Sequence, residues 1–172
     1  MLVPSIVPKA PDQPIQLMDV RDFAAWIVTL CGERTCGIFD GVGPRTTLGD
    51  VLSQAQRVAA VAAERAGDPL VGRPQPVSTE WLAARGVQEW MGARSLPLWL
   101  ADPDWQGFAA RSGRKARAAG LRTRPLAETL ADALEFEEGR GWDEPRLAGL
   151  SDDEERELLG QLGTQRFRPD VD

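Results

Sequence analysis

The 172-residue chain has no histidine, no tyrosine, and only two cysteines and two lysines. Without imidazole, Ser-His-Asp and Cys-His nucleophilic arrangements are excluded, as are the usual histidine-bearing zinc sites. Without a phenol there is no tyrosine general acid. Cys31 and Cys36 have no further cysteine or histidine with which to complete a tetrahedral metal site. Lying at the end of a predicted helix and just before a predicted strand, they read as buried free thiols rather than a disulfide. No apolar run approaches the roughly 18 to 20 residues that a membrane span needs. The N-terminus also lacks a charged-then-apolar secretory pattern, so a cytoplasmic protein with no membrane partner is expected. Chemistry is left to carboxylates, arginines, hydroxyls and thiols.

What is present is unevenly spread. Residues 1–125 carry 15 basic and 12 acidic side chains, net +3, whereas residues 126–172 carry 5 and 14, net −9. The acidic end argues against nucleic acid as the partner. One basic cluster, Arg111, Arg114, Lys115, Arg117, Arg122 and Arg124, reads as a solvated helix face plus loop, with an anion site as the alternative.

Residues 1–14 contain four prolines and read as an extended lead-in. Residues 15–150 read as one domain, and 151–172 as a capped helix and tail. A short strand is predicted at Ile15–Met18, then a helix from Val20 to Leu30 behind Asp19 as N-cap. Val20, Phe23, Ala24, Ile27 and Leu30 form its apolar stripe. A second strand is predicted at Gly37–Asp40. Thr47 with Asp50 resembles a capping box for a long helix from Leu48 to about Ala66, stopped by Gly67. An extended piece from Leu70 to Val77 leads to a short helix capped by Ser78. Ser112 is the expected cap of a helix ended by Gly120. Pro125 opens another, with Leu126, Leu130, Ala133 and Leu134 inward. Ser151 and Glu154 form a capping box for a last helix to Leu162, stopped by Gly163. The fold class expected is α/β, helix-rich, with a few short strands.

Residues 87–110 show no clean period and hold Trp90, Trp99 and Trp105 with Met91 and Phe108. Such a stretch is either the wall of a ligand pocket or a core-filling loop. Asp40 and Arg45 flank a glycine-rich turn, where α/β folds often present ligands; turn chemistry is the alternative. Asp19, Arg21 and Asp22 read as a cap and an internal ion pair, with ligand contact as the alternative. Glu135, Glu137 and Glu138 read as a solvated helix end.

The ordered set of Pro14-Ile-Gln-Leu-Met-Asp-Val-Arg-Asp-Phe-Ala-Ala-Trp, Gly37-Ile-Phe-Asp-Gly-Val-Gly-Pro and the helix at Thr47 resembles extended short-chain dehydrogenases/reductases. Gly86-Val-Gln-Glu-Trp, Leu96-Pro-Leu-Trp-Leu, Lys115-Ala-Arg-Ala-Ala-Gly-Leu and Arg124-Pro-Leu-Ala-Glu-Thr-Leu extend the likeness, which narrows to the NAD-dependent epimerase/dehydratase family. It spans about residues 10–162. The family's glycine-rich fingerprint and Tyr-xxx-Lys pair have no counterpart here, because Gly41-Val-Gly43-Pro lacks the third glycine. The resemblance therefore implies a truncated substrate-binding lobe without its Rossmann nucleotide-binding half. It implies no bound cofactor or metal, and no hydride transfer by this chain alone.

Three functions follow as expectations. The first is a small-molecule-binding protein, with Trp90, Trp99, Trp105, Met91 and Arg45 as ligand contacts. The second is a cofactor-independent isomerase, cyclase or lyase that holds a reactive conformer, with Asp40 or Asp104 assisting. The third is a subunit that completes a separate Rossmann-type chain. An apolar face of the lobe left uncovered predicts a homo-oligomer or a tight partner.

Overall fold

Helix boundaries follow local capping chemistry. The structure, a computed structural model, describes residues 6–67, 73–105, 107–141, 144 and 147–166. Helix α1 (Val20–Gly32) starts at Asp19, whose carboxylate accepts from the Arg21 backbone N–H at 2.9 Å. Helix α2 (Leu48–Ala66) starts at Thr47, whose Oγ1 accepts from Asp50 N at 3.1 Å, and stops at Gly67 with φ +76°. Ser78 caps α3 (Thr79–Ala83). The short α4 (Arg114–Ala118) has Gly113 as its N-cap residue, with Ser112 one position upstream. Helix α5 (Leu126–Arg140) follows Pro125. In α6 (Asp152–Arg166), Ser151 Oγ accepts from Glu154 N while Glu154 Oε2 accepts from Ser151 N. That helix runs through Gly163 instead of ending at Leu162. A helical glycine costs about 1 kcal/mol, and the burial of Leu158, with Leu159 and Leu162 packed beside it, holds α6 in place.

The strands pair in three separate couples. β1 (Ile6–Pro8) lies parallel to β4 (Gln75–Val77), β2 (Pro14–Gln16) antiparallel to β3 (Arg45–Thr47), and β5 (Gln88–Glu89) parallel to β6 (Ser95–Leu96). The strand expected at Ile15–Met18 thus shifts to Pro14–Gln16. Beyond Gln16 the backbone of Gly43 crosses Leu17 so closely that a Cβ there would lie 1.6 Å from Leu17 O. The segment Gly37–Asp40 is not a strand: it pairs with no strand among the described residues, and Ile38 is 90% exposed. Residues 70–72 of the expected extended piece lie outside the described residues.

Three apolar clusters fill the interior. Ile6, Val77, Leu82, Val87, Leu96, Trp99, Leu150 and Leu158 form the largest. β1, expected in a lead-in, is therefore a core strand, and α6 packs against it. Ile15, Leu48 and Val51 form the second cluster; Trp26, Ala116 and Leu121 form the third. The architecture is mixed α/β with more helix than strand. No described helix is long and apolar enough to cross a membrane.

Helix α1 departs most from its pattern. The stripe expected to face inward is largely outside: Val20 is 75% exposed and Ile27 43%, and Trp26 is the one buried side chain of the helix. Trp26 packs with Ala116 and Leu121, and its Nε1 donates to Ala119 O at 2.7 Å. Cys31 and Cys36 consequently are exposed free thiols, not buried ones. A hydrophobic period shows that a helix has an apolar side, but not that this chain covers it.

Candidate functional site

Leu17, the residue that follows strand β2, is shared by two clefts. On one side lies a cleft of about 490 Å³ that takes in Asp19, Asp22, Arg45, Arg124 and Thr129. Its two carboxylates are already paired. Arg21 Nε and Nη2 donate to Asp19 at 2.9 and 2.6 Å, and Thr129 Oγ1 adds a third side-chain donor at 2.9 Å. Arg124 donates to Asp22 from Nε, from Nη2 and from its backbone N–H. The Arg21 hydrogen bonds hold the Asp19 carboxyl far below the usual carboxylate range, against the opposing effect of its burial. Arg124 lowers Asp22 in the same way. This network serves as the cap and ion pair that the sequence pattern favoured: it anchors α1 to the segment preceding α5.

On the other side is a cleft of about 450 Å³ with an aromatic interior. Trp90 and Phe108 meet edge-to-face, with ring centroids 5.1 Å apart, and Phe39 lies on the same lining. Such ring geometry stabilises beyond simple area burial. Trp105 meets Phe108 edge-to-face at 6.0 Å and is about half exposed. Two residues of this lining, Trp90 (φ +67°) and Leu98 (φ +70°), adopt left-handed backbone conformations. For side chains of this bulk each costs about 1–2 kcal/mol, and such outliers concentrate at ligand sites.

The strained wall is held by two glutamines. Gln13 Nε2 donates to Leu98 O at 2.7 Å while Gln13 Oε1 accepts from Leu100 N at 3.1 Å. Gln16 treats Arg111 likewise: its amide donates to Arg111 O and accepts from Arg111 N, both at 2.9 Å. Gln16 Nε2 also reaches Gly43 O at 3.0 Å. Each primary amide thus mimics a backbone rung, and together they tie residues 98–111 to the β2 region.

The expected site residues are dispersed. Trp90 and Asp40 share the aromatic cleft; Arg45 lies in the neighbouring one. Trp99 fills the largest core cluster at 1% exposure, and its Nε1 has no hydrogen-bond partner among the described residues. Met91 is exposed on the loop after Trp90, and Asp104 is exposed on a single 3-10 turn (Pro103–Trp105). The three tryptophans therefore do not line one pocket. Phe39, Phe108 and Arg111 do reach the aromatic cleft, although the sequence pattern placed them in a strand, an irregular stretch and a basic cluster. Gln13 and Gln16 carried no signal: a glutamine that mimics a backbone partner has no characteristic spacing.

The remaining basic cluster is mostly absorbed by the fold. Lys115 Nζ donates to Ile38 O at 2.9 Å, Arg117 Nη2 to Ser112 O at 2.6 Å, and Arg122 Nη1 to Arg117 O at 3.4 Å. Among the described residues no group of three or more histidine, cysteine or carboxylate side chains is arranged to hold a metal ion. Compared with family models, with curated proteins and with solved structures, the chain gives no match.

Proposed function

We propose that this chain is a small-molecule-binding lobe whose ligand sits in the aromatic cleft between β2, the 37–43 loop and the 90–111 segment. The carrying observation is the pairing of Trp90 with Phe108 on a backbone held in left-handed conformations at Trp90 and Leu98. Two glutamines fasten the segment to the body beneath it through main-chain atoms of Leu98 and Arg111. The chain includes no tyrosine or histidine to move a proton, so binding, not hydride transfer, is the activity assigned to the cleft.

The test is a fragment screen by ligand-observed NMR on the wild-type chain, repeated on Trp90→Ala and Phe108→Ala. Fragments in the cleft should lose about tenfold or more in affinity in both variants, because each deletes one face of the ring pair. Unchanged binding in both would refute the assignment.

A second reading concerns α1. From Phe23 to Gly32 the helix carries no charge, and it leaves Ala24, Ile27 and Val28 outward. An uncharged helix side of this kind favours association, with a second copy or with a partner chain. Sedimentation should show a species heavier than one chain, reduced to the monomer by Val28→Glu. A monodisperse wild-type monomer that binds no hydrophobic dye would refute it.

A further inference from the structure

Asp40 and Arg111 are the only charged residues among the described lining of the aromatic cleft, and they face each other with 3.9 Å between Oδ1 and Nη1. That separation is beyond hydrogen-bond range, and both side chains are more than half exposed. The pair is therefore a weak one. Arg111 is the one arginine of its cluster on the described lining of this cleft. Arg117, Arg122 and Arg124 spend donors on carbonyls or on Asp22, whereas the Arg111 guanidinium donates to no described residue. Its backbone is nonetheless fixed on both sides by Gln16. A planar fork of five donors, on a pinned backbone at the mouth of an aromatic cleft, is arranged to receive a planar or tetrahedral oxyanion.

Resting on the assignment of the aromatic cleft as the ligand site, we propose that its ligand joins an apolar body to a terminal oxyanion, a carboxylate or a phosphate ester. The body lies against Trp90, Phe108 and Phe39. The oxyanion pairs with Arg111 and displaces Asp40, which holds the place of an anion when the cleft is free. Asp40 thereby acts as an internal competitor that sets the affinity, and Arg111 as the residue that determines specificity.

Calorimetric titration of the full chain with 3-phenylpropionate, its neutral amide and 2-phenylethyl phosphate tests this, since the three share one apolar body. An oxyanion should bind about tenfold tighter than the amide, the gain expected of a charge-assisted contact. Arg111→Gln should erase that preference. Asp40→Asn should tighten the oxyanion several-fold and leave the amide unchanged, an opposite sign that a folding defect would not produce. Whichever of carboxylate and phosphate binds tighter identifies the oxyanion. Equal affinity for all three probes overturns the Arg111 pairing and leaves the cleft as an apolar site. Failure of all three to bind overturns the cleft assignment, and the Arg111 pairing with it.

Discussion

Trp26 and Trp99 are both buried indoles, and they differ in one respect. Trp26 Nε1 donates to Ala119 O at 2.7 Å, whereas Trp99 Nε1 has no partner among the described residues. Replacing each by phenylalanine separates the contribution of the N–H from that of the ring. The change removes roughly 40 Å³, which at about 24 cal/mol per Å³ of cavity costs about 1 kcal/mol. The apolar surface no longer buried adds about 1 kcal/mol. At Trp26 the lost hydrogen bond adds about 1 kcal/mol more, so Trp26→Phe should cost about 3 kcal/mol. At Trp99 the substitution also removes a buried donor without an acceptor, a relief of about 1–3 kcal/mol. The two contributions offset, and Trp99→Phe should fall within about 1 kcal/mol of wild type. Urea unfolding followed by far-UV circular dichroism measures both, with an unchanged m-value securing the comparison. Equal destabilisation by the two substitutions would refute the reasoning, because Trp99 would then be losing a hydrogen bond of its own.

Two further predictions concern other parts of the fold. Gly43→Ala places a Cβ 1.6 Å from Leu17 O, so the crossing of the 37–43 loop over Leu17 must open. A loss of about 2 kcal/mol or more is expected, while Gly139→Ala, in open space on α5, should gain about 0.5–1 kcal/mol; thermal unfolding compares them directly. Acid stability should depend on Asp19. Its carboxyl lies below the ordinary range in the folded state, so the unfolded chain takes up the proton first, near pH 4. The stabilisation is complete above about pH 5 and is lost progressively as the pH falls below it. Asp19→Asn, which keeps a capping side chain, should flatten that acid limb; an unchanged urea midpoint profile between about pH 5 and pH 3 would contradict the Arg21–Asp19 assignment.

Much of the helical framework was legible because its signals are local. Asp19, Thr47, Ser78 and Ser151 all cap where their spacing to the next acidic or apolar residue indicated, and Gly67 stops α2. What escaped was non-local. Nothing near Ile6–Pro8 announces a partner at Gln75–Val77, and a run such as Gly-Ile-Phe-Asp looks like a strand whether or not an edge is present to receive it. The apolar stripe of α1 identified the helix and misled about its burial, since periodicity is indifferent to what covers it. In the candidate site the aromatic residues were visible as composition. Their division into a core member, Trp99, and a cleft member, Trp90, depends on the left-handed turns at Trp90 and Leu98, and neither residue type suggests such a turn.

The two glutamines give the cleft an uneven capacity for change. Gln13 and Gln16 grip residues 98–111 through main-chain atoms of Leu98, Leu100 and Arg111, not through their side chains. A wall fastened in this manner can exchange what it displays without detaching from the body beneath it. On the proposal that the cleft holds a ligand, substitutions at Phe108 or Arg111 would alter which molecules are admitted, whereas substitutions at Gln13 or Gln16 would alter whether there is a wall at all. Selection for a new ligand would thus act on the first pair of positions and be barred from the second.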